Sequence, residues 1–273
     1  MPFTLVHPAA VLPLLRTGLV PSALVAGAVA PDLPYYVRLT AIHGNLNLTL
    51  THGWSSLLWL NPIIGLALLA IFHALLKRPL ADLAPPALAC RIIGPVAGFR
   101  WRSPAAAALV VGSVAVGATT HLGWDALGGV AGPGWSGPLT AAGNLAGTVA
   151  LGAWFVCWWR TAPRTPGPAP IRPTRRFRIA VTSALVAVPV TAGATAALAA
   201  APGIRLDLQE SGGYDAAVQA NLLAREFAVT AVGAAGVAVL GYALIRQGVR
   251  ATRQRIGPTG QPGGGEGTTT PLS

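Results

Sequence analysis

Charge is scarce in this chain. Of its 273 residues only 10% are Asp, Glu, Lys or Arg, against about 25% in an ordinary soluble domain. A nucleic-acid surface needs many more cations than that, so the net charge of +11 does not mark a nucleic-acid binder. The same poverty excludes a disordered polyelectrolyte. Cysteine is nearly absent: Cys90 and Cys157 are the two present, too few for a disulfide framework, and no C-x-x-C occurs. Lysine is reduced to Lys77, and there are 8 acids and 5 histidines. Neither G-x-S-x-G nor H-E-x-x-H is found. The Gly-rich stretch 128–137 follows no strand, which argues against a phosphate-binding loop.

Apolar residues fill the space. They make up 53% of the chain, and the mean hydropathy is +0.57. Five windows can cross about 30 Å of hydrocarbon at 1.5 Å per residue: Trp54–Leu76, with a kink expected at Asn61-Pro62, then Pro104–Leu127, Leu139–Trp159, Ile179–Ala201 and Phe227–Ile245. The fold class expected is therefore all-α, a polytopic integral membrane protein of the cell membrane. Seven of the tryptophans (Trp54, Trp59, Trp101, Trp124, Trp135, Trp158 and Trp159) fall near window ends, as an aromatic belt does. The opening MPFTLVHPAAVLPLLRTG has no basic stretch ahead of its apolar run, so it reads as retained rather than as a signal peptide.

The few charges sort by loop. Connections 77–103 and 160–178 and the tail from Arg246 hold 15 of the 19 basic residues. Stretch 128–138 has no charge, and 202–226 has 4 of the 8 acids. The positive-inside rule places the basic connections in the cytoplasm. The chain then divides into a membrane core (1–160), a basic Pro-rich linker (161–178), two further spans (179–250) and a low-complexity tail (251–273). In the first 53 residues, Pro8–Leu15 and Ser22–Ala30 are too short to span, and Arg16–Pro21 between them reads as a turn. Two short helices joined by that turn give a hairpin returning to its starting side. The alternative is a single span over Leu19–Val37.

Ionisable groups inside membrane segments are costly and point to function. His121 and Asp125, in TTHLGWDAL, lie four residues apart on one helix face near the outer end of the second window. His52 begins the first window at the same level. With the hairpin, His7 and Asp32 flank it and reach that level as well. His7, Asp32, His52, His121 and Asp125 thus form one candidate cluster. Imidazole nitrogens and carboxylate oxygens suit a divalent metal such as zinc, with manganese and iron also compatible. Asp32 or Asp125, if not ligating, is a candidate general base. Singly, each residue also has an ordinary structural reading: a hydrogen-bonded His/Asp pair, a cap or a surface histidine. His73 lies about 31 Å along one helix from His52 and is excluded. His43 is assigned to a surface loop, and Asn47-Leu-Thr49 is a sequon by pattern.

The blocks MPFTLVHPAAVLPL, APDLPYY, THGWSSLL with FHALLKRPL, and THLGWDAL resemble a bacterial family of uncharacterised multi-pass membrane proteins, a domain of unknown function whose members begin MPFT and then HPAA. That family is in turn similar to inner-membrane proteins grouped as metal-dependent hydrolases, related to zinc phospholipase C-like folds. The resemblance implies a divalent metal held by His7, Asp32, His52, His121 and Asp125. The leading function expected is metal-dependent hydrolysis of a lipid or phosphoester near the outer leaflet, with Asp32 and Asp125 as the candidate catalytic carboxylates. The wider group often carries a second Asp two residues after the Pro-Asp aspartate. Here that position is Pro34, which removes a ligand from a two-metal site. Two other functions fit the same residues: an ion-coupled transporter, which flux measurements would reveal, and a non-enzymatic scaffold with structural His/Asp pairs. Membrane lipids are the expected partners.

Overall fold

A computed structural model describes residues 4–37, 50–97, 103–130, 133–164, 173–212 and 214–255. Among these the chain is helical, with no strand. A 3-10 segment, Thr4–Arg16, is followed by α1 (Pro21–Val29), a 3-10 turn Ala30–Asp32 and the short α2 (Leu33–Tyr36). Then come α3 (Leu60–Leu83), α4 (Pro86–Ala97), α5 (Pro104–Val130), α6 (Pro133–Thr161), α7 (Arg175–Glu210) and α8 (Ala216–Arg255). Five helices, α3 and α5–α8, are long and apolar enough to cross a membrane. Large apolar side chains such as Leu145, Val186, Leu198 and Val237 stand exposed on α6–α8, as a hydrocarbon surround requires.

The N-terminal hairpin is present. Pro8 and Pro13 lie inside the first segment, each removing a backbone donor, and that segment winds as a 3-10 helix. Gly18, at φ +80°, supplies the left-handed residue of the turn. Pro21 starts α1, where a missing N–H costs nothing.

Helix α1 then lies parallel to α5. Val20 N–H donates to Ser113 Oγ at 3.0 Å, and eight residues later His121 meets the Ala28 carbonyl. Both pairs are separated by the same 93 positions. The approach is close because glycine permits it. A Cβ at Gly27 would collide with the Val114 carbonyl, and one at Gly117 with that of Leu24. The buried Ala23, Leu69, Val110 and Val114 form the core between α1, α3 and α5. Val11, Leu24 and Ala28 join the 3-10 segment to it. Ser113 is about 14 Å along α5 from Pro104, so the hairpin reaches roughly half its depth.

Several boundaries differ from expectation. The first span starts at Leu60, six residues later than expected, and runs to Leu83. Asn61-Pro62 therefore falls in the first turn, where proline fits, and makes no mid-span kink. The break lies at Trp59 (φ −148°, ψ −56°), after a 3-10 turn over Trp54–Leu58. The irregularity inside α3 is a π turn at Phe72–Leu76, and Gln247 of α8 donates to the Ala74 and Leu75 carbonyls there. His52 consequently does not share a helix with His73. The stretches read as loops are also largely helical. Charged Lys77–Leu83 continues α3, Pro86–Ala97 forms α4, and α8 continues to Arg255. On that last extension Arg246 and Arg250 both bind the buried Asp82. His43 and Asn47 lie outside the described residues.

Candidate metal centre

All five candidate residues meet at one end of the bundle. His7 comes from the start of the 3-10 segment. Asp32 follows α1, where the backbone tightens into a 3-10 turn around Pro31. His52 precedes the turn that begins α3, and α5 presents His121 and Asp125 from one face. His52 Nε2 lies 3.2 Å from Asp32 Oδ1 and 3.6 Å from Asp125 Oδ2. His121 Nε2 is 3.5 Å from an oxygen of each carboxylate. His7 Nε2 is 3.4 Å from Asp125 Oδ1, and its Nδ1 is 3.8 Å from Asp32 Oδ2. The His7 and His121 rings stack with centroids 3.7 Å apart.

The histidine orientation is informative. His121 Nδ1 donates to the Ala28 carbonyl at 2.7 Å. That carbonyl belongs to the last turn of α1, where a helix runs out of its own donors. A neutral imidazole that donates through Nδ1 carries its lone pair on Nε2, and here Nε2 points into the cluster. A backbone carbonyl holding the far nitrogen of a histidine in this way is a recurring support of metal ligands. Among the described residues His121 Nε2, His7 Nδ1 and Asp125 Oδ2 are buried without a hydrogen-bond partner, their nearest contacts being the 3.5–3.8 Å approaches within the cluster. Buried polar atoms rarely go unsatisfied, so these atoms are disposed toward a further partner.

Two overlapping trios have ligand atoms all within 4.8 Å of one another: His7, His121 and Asp125, and Asp32, His52 and His121. His121 belongs to both. With both carboxylates ionised and the three imidazoles neutral, the five side chains carry a charge of −2. One divalent cation cancels that charge, which offsets the cost of burying the pair. Access is uneven. The side chains of His7, His121 and Asp32 are 1%, 0% and 6% exposed, whereas His52 and Asp125 reach 14% and 11%. The open side of the cluster is therefore the His52 and Asp125 side.

One part of the site was not read from the sequence. Thr51, Ser56 and Asn61 are buried and tie together the segment carrying His52. Asn61 Nδ2 donates to the Thr51 carbonyl at 2.9 Å and to Ser56 Oγ at 2.7 Å. Ser56 Oγ donates to the Thr51 carbonyl at 2.9 Å. The T-H-G-W-S-S-L-L-W-L-N-P string carries the signal, since Thr51, Ser56 and Asn61 are among the polar residues that interrupt an apolar, aromatic run. Tyr35 closes the edge of His52, with ring centroids 6.2 Å apart.

These features define a helical, membrane-type protein with a buried His/Asp cluster at one end. Residues 1–135 match a family described as a domain of unknown function, DUF4184, and that stretch contains all five cluster residues. No curated protein and no solved structure matches the chain.

Proposed function

We propose that the cluster binds a divalent cation, zinc being the best suited, and that the protein is a membrane-embedded metal-dependent hydrolase of a lipid or phosphoester at the outer face. The observation that carries this reading is the convergence of three imidazoles and two carboxylates, with trios of ligand atoms within 4.8 Å. A cation bound there would supply a water acidic enough to act as a nucleophile near neutral pH.

His7, Asp32, His52, His121 and Asp125, the members of the two trios, would each hold the cation through one atom. Asp125, on the open side, accepts through its second carboxylate oxygen the proton of the attacking water as the new bond to phosphorus or acyl carbon forms. It returns that proton to the departing alkoxide as the ester bond breaks.

Purified protein supplied with zinc and a panel of synthetic phospholipids and phosphoesters tests this reading. Metal-dependent hydrolysis that Asp125→Asn abolishes is expected. Metal bound in stoichiometric amount without hydrolysis of any ester would overturn the hydrolase assignment.

A further inference from the structure

A second polar group lies toward the opposite end of α1 and takes no part in the cluster. His73, on the π turn of α3, has its Nε2 3.1 Å from Ser22 Oγ. Its Nδ1 is 3.4 Å from Lys77 Nζ. The three face a cavity of about 870 Å³ between α1, α3, α4 and α7. Apart from Thr182 the rest of its wall is apolar, with Phe72, Leu80, Leu88, Ile92 and Leu185 among the lining side chains. Lys77 is the one lysine of the chain.

The direction of the hydrogen bonds decides what this trio does. An ammonium has donors and no acceptor, so His73 Nδ1 must accept from Lys77. The neutral ring then holds its proton on Nε2 and donates to Ser22 Oγ. In that tautomer His73 cannot take a proton from Ser22, so the arrangement is not a nucleophile and its base. It is instead a chain of donors, starting from a cation and ending on a hydroxyl at the first turn of α1. Such a chain is complementary to an anion. A small free anion would not need the apolar remainder of an 870 Å³ cavity. An amphiphile with an anionic head and hydrocarbon tails matches both parts. The cavity also lies toward the end of the bundle that carries the basic Lys77-Arg78 and Arg175-Arg176 pairs, where anionic lipid is attracted.

We propose that this cavity is a binding site for an anionic phospholipid. The headgroup phosphate sits at Ser22, His73 and Lys77, and the acyl chains lie along α3, α4 and α7. The proposal is independent of the metal reading, because none of its residues belongs to the His/Asp cluster.

Native mass spectrometry of the full-length protein in detergent, with phosphatidylglycerol and phosphatidylcholine added in equal amounts, tests it. The wild type is expected to retain phosphatidylglycerol over phosphatidylcholine by about fivefold, the effect of one well-placed cation. Lys77→Gln should bring the ratio near unity, and Ser22→Ala should lower it, both with unchanged melting temperature. Arg175→Gln, a surface change at the same end, should leave the ratio as it is. Ala81→Trp, which fills the cavity, should reduce retention of both lipids. Equal retention of the two lipids by the wild type would overturn the proposal. So would an undiminished ratio in both Lys77→Gln and Ser22→Ala, or displacement of the lipid by millimolar inorganic phosphate.

Discussion

His121 donates its Nδ1 proton to the Ala28 carbonyl across 2.7 Å, joining the end of the N-terminal hairpin to the second span. This contact turns Nε2 toward His7, Asp32, His52 and Asp125, and it makes the hairpin and α5 one unit. His121→Ala removes both the shared ligand of the two trios and this tether. Metal affinity should fall by more than the roughly 10–100-fold typical of losing an outer hydrogen-bond partner. Competition titration against a chromogenic chelator measures this. An affinity within threefold of the wild type would contradict the role given to His121.

The close approach of α1 to α5 sets the distance between Asp32 and the α5 ligands. Gly27→Ala places a methyl against the Val114 carbonyl, so the helices must separate. Overpacking of this kind costs about 1–3 kcal/mol. The melting temperature in detergent should fall and metal affinity with it. Ala at Gly112, which meets nothing within 4 Å, should change neither.

Asn61 is fully buried and holds the Thr51 carbonyl and Ser56. Asn61→Ala leaves the Thr51 carbonyl and Ser56 without these bonds. The expected destabilisation is about 1–3 kcal/mol, read by thermal unfolding. Because the same segment positions His52, metal affinity should also decline, by roughly 10–100-fold. If Asn61→Ala lowers stability and leaves metal affinity untouched, the network supports the fold and not the site.

Metal retention should depend on pH in one direction. Imidazole binds metal in its neutral form and carboxylate in its ionised form, so protons compete with the cation. Affinity is present where both conditions hold and is lost as pH falls. Dialysis at stepped pH followed by elemental analysis should show bound metal decreasing monotonically toward acid. Retention that rises with acidification would contradict ligation by His7, His52 and His121.

Much of this site was legible because the chain has so few ionisable groups. Once the basic residues marked one end of the spans, the i, i+4 pair His121 and Asp125 fell at the other end. The hairpin followed from two apolar runs too short to cross, separated by a turn with Gly18. The helix ends were less legible. Polarity alone does not stop a helix, so Lys77–Leu83 and Arg246–Arg255 stayed helical where charge suggested loops, with Asp82 pairing Arg246 and Arg250 across α3 and α8. Asn61-Pro62 resembled a kink because proline's effect depends on its position in the helix, and position is set by the preceding turn at Trp54–Leu58. The Ser22–His73–Lys77 group was only partly legible: His73 and Lys77 are four residues apart on α3, but Ser22 joins them only when α1 packs on α3.

The central claim is that the five-residue cluster holds a metal. Elemental analysis of detergent-purified wild type, His121→Ala and Asp125→Ala, after loading with zinc and removal of excess, tests it most directly. The account predicts about one divalent cation per wild-type chain, the number that neutralises the two buried carboxylates, and strongly reduced metal in both variants. Equal, near-zero metal in all three folded proteins would contradict it.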